Sequence, residues 1–417
     1  MKRIHPSAFV LGVCLATALS GVCRGGAGFH NGGTGSCDGC HTTPPELIYS
    51  DPSSTCLGCH QAPLGSYLPK DPYVSTDVNS AFICSQLSPG GDFCWLKRSY
   101  RWHPAAMAWQ REEISPGERH GHNIVALDFG YDADTVHRTA PGGNYPAGSL
   151  SCISCHDPHG RYRRLADGSI ATAGPPVASS GSYADSPLPP TGSAVGVYRL
   201  LGGKGYAPKA VSGLYTFAAD PPAAVSPAPY NRAETSFDTR VAYGKGFSEW
   251  CANCHTGIHN DQAHGSGRHP AGDDARLSAE IIGHYNSYVA SGNLMGNPAT
   301  SYTSLVPYEM RTSDYALLKS VANNSGANRS GPQGNANVMC LTCHRAHASG
   351  WDSMTRWNMG AEFIIYNGRY PGIDNAAPVE YAQGRTESEA RKTFYDRPAA
   401  LFAPYQRSLC NKCHYKD

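Results

Sequence analysis

Apolar positions in this chain seldom keep one period for long. The sustained apolar run is AFVLGVCLATALSGV at residues 8–22, led by Lys2 and Arg3 and followed by small residues. It is too short to cross a bilayer and reads as a secretory signal. Cleavage after Gly28, with Gly26 at the minus-three position, makes residues 1–28 the signal and Phe29 the mature start. Further on, DDARLSAEIIGHYNSYVAS (273–291) sets Leu277, Ile281, Tyr285 and Tyr288 on one helical face, which predicts a helix capped by Asp273 or Asp274. RTESEARKTFYDR (385–397) has Thr386 and Glu389 at capping-box spacing and predicts a second short helix. ADSPLPPTG (184–192) and AADPPAAVSPAP (218–229) predict extended, wrapping connectors. No later apolar stretch is long enough for a transmembrane helix.

Composition agrees with that scarcity of regular structure. Hydrophobic residues are 40% of 417, while 46 glycines and 31 prolines favour loops. The expected fold is mostly irregular coil with a few short helices and little strand, in a single elongated domain over residues 29–417. What fills its core is then the question.

The cysteines answer it. C-x-x-C-H recurs six times: Cys37-Cys40-His41, Cys56-Cys59-His60, Cys152-Cys155-His156, Cys251-Cys254-His255, Cys340-Cys343-His344 and Cys410-Cys413-His414. Paired cysteines suit a zinc site, but zinc gives no reason for a histidine after each pair. Haem c does: two thiols form thioethers with the vinyl groups, and the next imidazole lies under the iron as proximal ligand. Six haem c groups spread along one domain must themselves form much of its core. Of sixteen cysteines, twelve are thus assigned, and Cys14 and Cys23 leave with the signal. Cys84 and Cys94 remain as a candidate disulfide, suited to an oxidising compartment. Cys23 follows Val22 and makes no lipobox.

Charge excludes one class of partner. Loss of Lys2, Arg3 and Arg24 takes the formal charge from +1 to −2. Two propionates per haem against one net positive ferric core add about −6 more. That charge argues against nucleic acid as a partner.

Histidines supply the distal side. Three motifs carry a trailing histidine: His159 in CHDPHG, His259 in CHTGIHN and His347 in CHRAHASG. The three residues from His344 to His347 span at most about 10 Å, too little to reach round the macrocycle to the opposite face of the same iron. Such a histidine is better placed for a different haem, which forces haems close together. Eleven histidines remain beyond the proximal six and His5, so six distal ligands are available without methionine, whose ligation raises potentials. His284 reads as a packed core histidine, while His103, His137 and His264 have no motif context.

The chain resembles the hexahaem outer-surface nanowire cytochromes of metal-reducing bacteria. The resemblance is carried by SPGGDF at 88, GHNIV at 121, TAPGGNYPA at 139, CHDPHGRYRR at 155 and DGSIAT at 167. It continues through RVAYGKGFSEWCANCHTGIHN at 240, RHPAG at 268, CLTCHRAHASGWDSMTRWN at 340 and FAPYQRSLCNKCH at 402. It implies bis-histidine haems stacked in a continuous line, head-to-tail assembly of subunits and an extracellular location. It singles out His122, His159, His259, His269 and His347 as candidate distal ligands, matches His30 to a family histidine, and leaves His120 as a non-ligand. One departure stands out. The family's first motif continues C-H-x-x-H, with that last histidine ligating a haem of the adjacent subunit, whereas here His41 is followed by Thr42, Thr43 and Pro44.

Three function classes follow. The leading one is an exported, extracellular or outer-surface filament subunit that carries electrons over long range, exchanging them with other multihaem cytochromes or outer-membrane conduits and delivering them to acceptors such as metal oxides. A monomeric periplasmic carrier is the alternative. A multihaem reductase comes third, because it needs an open iron position. On the first two readings the chain is an electron-transfer protein rather than an enzyme, with no catalytic residue.

Overall fold

A computed structural model describes residues 39–63, 72–77, 84, 88–104, 111–227, 234, 239–259, 269–323 and 325–414. The segment 1–28, expected to be a signal, and His30, Cys37 and His264 lie outside the described residues.

Regular structure is sparse, as the pattern implied. Among the described residues the helices are α1 (Pro52–His60), α2 (Cys152–Cys155), α3 (Phe247–Cys251), α4 (Thr256–His259), α5 (Ala279–Ser287), α6 (Tyr315–Val321), α7 (Cys340–Cys343), α8 (Val379–Ala382) and α9 (Glu387–Thr393). None of these exceeds nine residues. The described strands make two-stranded ribbons and a single three-stranded sheet, in which Arg163–Leu165 lies between Ile170–Ala171 and Ala194–Gly196. No helix among the described residues is long and apolar enough to cross a membrane.

The helices begin where short-range chemistry puts them. Asp51 caps α1 by accepting the Ser54 N–H at 2.8 Å, and Pro52 follows at the first helical position. Thr386 and Glu389 cap α9 reciprocally: the Glu389 N–H donates to Thr386 Oγ1 at 3.2 Å, and the Thr386 N–H to Glu389 Oε2 at 3.0 Å. The cap of α5 is Ser278, whose Oγ accepts the Ile281 N–H at 3.2 Å, not Asp273 or Asp274. Residues 275–277 are held extended against 336–338: Leu277 N–H donates to Ala336 O at 3.0 Å and Val338 N–H to Ala275 O at 3.1 Å. Leu277 is still buried with Tyr285, but from ahead of the helix.

Buried apolar side chains form several separate clusters rather than one core. The largest gathers Tyr285, Trp357, Ile365 and Phe394, with Cys343, Cys410 and Cys413 against it. Others border Cys152 and Cys254. The apolar surface is thus organised around the motif cysteines. Cys84 and Cys94 are joined as a disulfide, Cα to Cα 5.6 Å, inside the cluster of Trp95, Tyr100 and Ala348.

Candidate haem sites

Three motifs are positioned by a turn of helix, and five proximal histidines by a carbonyl. Cys56 and Cys59 lie on α1, Cys152 and Cys155 bound α2, and Cys340 and Cys343 bound α7. Residues three apart share a helical face, so both thiols point the same way. His156 and His344 then sit at the C-caps in extended conformation (φ −105° and −106°), which turns the imidazole out of the helix.

Five proximal rings donate Nδ1–H to a backbone carbonyl. His41 reaches Glu46 O at 3.2 Å, His60 reaches Pro72 O at 2.6 Å and His156 reaches Arg199 O at 2.8 Å. His255 reaches Pro141 O and His344 reaches Ser353 O, both at 2.8 Å. A proton held on Nδ1 leaves the Nε2 lone pair for a metal and fixes the ring's direction.

Of the distal candidates, His122 and His269 have Nδ1 against a backbone carbonyl, while the buried Nδ1 of His347 has no hydrogen-bond partner. His122 donates Nδ1–H to Ala346 O at 2.8 Å, and its backbone N–H donates to His347 O at 2.9 Å. His347 N–H donates to Gly90 O at 2.8 Å. This three-way crossing needs glycine: a Cβ on Gly91 (φ +98°) would lie 1.8 Å from Ala348 O, and one on Gly121 would lie 2.4 Å from His347 O. Burial, then His255, pushes His122 down to about 4, and burial, then His156, pushes His347 down to about 3. Both stay neutral near pH 7, the form that ligates a metal. His159 has its ring 3.8 Å from Asp157 Oδ1.

Proximal and distal rings meet in pairs. His41 and His159 have centroids 6.4 Å apart, His255 and His122 6.1 Å, and His414 and His269 5.8 Å. A metal–imidazole bond of about 2 Å, with about 1 Å more to the ring centre on each side, puts two trans ligands about 6 Å apart. The pairs therefore have the separation that an iron between them requires. His347 is linked to His156 through the electrostatics above, with its ring stacked on Phe93 at 4.8 Å.

Thiol neighbours give the order of the motifs. Cys56 lies against Cys152 and near Cys40, Cys155 is near Cys254, Cys251 lies against Cys340, and Cys343 is near Cys410 and Cys413. The six motifs thus succeed one another in chain order. Two junctions repeat one contact: the Cys152 N–H donates to Ser53 Oγ and the Cys340 N–H to Ser248 Oγ, both at 3.1 Å. Burial pushes Cys254 and Cys413 up to about 11 and Cys343 to about 12, away from thiolate. Among the described residues, the group of His, Cys, Asp or Glu donors close enough to share a metal contains no cysteine.

Comparison with known proteins identifies the family. No family model matches the chain. The C-type cytochrome OmcS of Geobacter sulfurreducens is 49% identical over 93% of this chain and 94% of its own length. Two solved structures, of the OmcS nanowires and of the outer membrane cytochrome S filament from that organism, superpose with TM-scores of 0.85 and 0.86. Both are 48% identical and cover 93% of this chain and all of the solved one.

This chain belongs to the OmcS family.

As an OmcS-type cytochrome it carries haem c, and the histidine pairs fit that group. Sequence reasoning left out the carbonyl acceptors. The carbonyls of Glu46, Pro72, Pro141, Arg199 and Ser353 have no side-chain signal, since any residue can offer one. His120 is fully buried, with Nδ1–H donated to Trp95 O at 3.0 Å and Nε2 2.8 Å from Ser115 Oγ, so neither nitrogen faces a metal. His284 is half-buried, with Nδ1 3.4 Å from Cys413 O. His137 is exposed and held by Asp134 at 3.4 Å, and His103 is exposed. His269 is exposed, its Nδ1 2.9 Å from Pro270 O. His259 ends α4, and its side chain lies outside the described residues. Pro44 occupies the turn between the paired strands His41–Thr43 and Glu46–Leu47.

Proposed function

We propose that this chain is the subunit of an extracellular conducting filament, with six haem c groups in one line and a histidine on both faces of each iron. Bound haem supplies a one-electron couple, and close edges let electrons pass along the line. The chain's own residues set spacing, ligation and burial. The separation of the proximal and distal rings, 5.8 to 6.4 Å in three pairs, carries the reading.

A register of ligands supports it. His159, trailing the third motif, faces the first motif's His41. His347, trailing the fifth, lies by the third motif's His156. Each trailing histidine thus serves the haem two motifs earlier, and the same step assigns His259 to the haem of His60. His122 serves the haem of His255, and His269 that of His414. The haem of His344 is then completed by the first segment of the next subunit. Pro44 replaces the family's ligand there, and His30, two residues into the expected mature chain and beside Gly32, Gly33 and Gly35, takes the role. With every iron six-coordinate, the chain is an electron carrier and not an enzyme. Its partners are its own copies, other multihaem cytochromes or outer-membrane conduits, and external acceptors such as metal oxides.

Electron microscopy of material sheared from cells tests this reading. Filaments of this chain with six haems per subunit are expected. Haem-loaded monomer confined to the periplasm would overturn it in favour of the monomeric carrier.

A further inference from the structure

Beside the fourth motif, three carboxylates from separate segments converge. Glu249 on α3, Asp273 and Glu309 have oxygens within 4.8 Å of one another. Backbone amides orient two of them: Asp273 N–H donates to Glu249 Oε1 at 2.8 Å, and Phe247 N–H to Glu309 Oε2 at 3.2 Å. Glu309 is fully buried, and its Oε1 has no hydrogen-bond partner.

A second observation points to a ligand there. Asn337 is 0% exposed, and neither its Oδ1 nor its Nδ2 has a partner. A buried amide left so costs about 1–3 kcal/mol. Glu309 and Asn337 face each other in an antiparallel bridge and exchange both backbone hydrogen bonds, at 3.0 and 2.9 Å. Directly opposed residues project from the same face, with Cβ atoms about 5 Å apart. The unpartnered amide therefore stands beside the unpartnered carboxylate oxygen.

We propose that Glu249, Asp273, Glu309 and Asn337 bind a hard divalent cation of the calcium class. Oxygen donors only, three of them anionic, are the set such a cation prefers, with water completing its six to eight positions. Without it, burial and repulsion from Glu249 and Asp273 push Glu309 up to about 7. The cation removes that conflict. It also fastens three segments: α3 entering the fourth motif, the chain four residues beyond His269, and Asn337 three residues before Cys340. One ion thereby braces the fourth and fifth motifs and the segment of a distal histidine.

The test uses the full haem-loaded chain, stripped with a chelator and dialysed against calcium or magnesium, with metal counted against iron by elemental mass spectrometry. One calcium or magnesium per chain is expected. Asp273→Asn, at an exposed position, should weaken binding at least tenfold, and Glu309→Gln should abolish it. If Glu309→Gln fails to take up haem, Asp273→Asn decides alone. A wild-type chain that retains neither ion at about millimolar concentration, or a variant that binds unchanged, overturns the proposal.

Discussion

The fourth and fifth candidate haem sites have the same proximal half. His255 and His344 each follow a Cys pair, each donate Nδ1–H to a carbonyl at 2.8 Å, and their helices are tied through Ser248. Their distal halves differ. His122 stands 6.1 Å from His255, while the described histidine nearest in influence on His344 is His255 itself. A proximal half is built by five consecutive residues and is complete anywhere in the chain. A distal half must be brought from elsewhere, and in the proposed filament the one missing near an end of the line comes from the next subunit.

The largest effect should follow from the fifth site. His30→Ala should turn one haem per chain high-spin and abolish or shorten the filaments, as seen by electron paramagnetic resonance and microscopy. His122→Ala should also turn one haem high-spin, but filaments should persist, because that ligand comes from the same chain. Equal loss of filaments in both variants would erase the distinction between the sites.

Next comes the counter-charge. Glu234 is buried against Arg345, which follows His344, at 3.0 Å, and against Arg356 at 3.7 Å. Glu234→Ala leaves two buried guanidinium groups without it and should cost about 3–5 kcal/mol in urea unfolding followed at the Soret band. The fifth site should loosen before the fourth. A smaller loss, about 1 kcal/mol, is expected for Ser248→Ala, which removes the acceptor of the Cys340 N–H between the two sites.

Acid adds a graded effect. His122 and His347 are lowered from 6.5 to about 4 and about 3. Between those values and 6.5 the unfolded chain binds protons that the folded chain refuses. Stability is therefore full above pH 6.5, falls as the pH drops, and levels off below pH 3. Unfolding midpoints across that range check the sign.

Legibility followed the same division. The six motifs, the trailing histidines and the capping box at Thr386 are local patterns and could be read directly. Reach alone pointed His159 and His347 away from the haems of their own motifs, but which proximal histidines they stand near could not be read, because the answer lies in contacts between distant segments. The cap of α5 was misread because pairing with 336–338 holds 275–277 extended, which a helical stripe does not reveal. Carbonyl acceptors carry no residue signature, and Asn337 became informative only when its burial was known.

The central claim is that every iron has two histidines and that one of them is borrowed across a subunit junction. Electron paramagnetic resonance of the oxidised protein, taken on intact filaments and again on disassembled subunits, tests it most directly. Filaments should show only low-spin haem, and separated subunits should show one high-spin haem in six. A high-spin haem within intact filaments, or six low-spin haems in separated subunits, would contradict it.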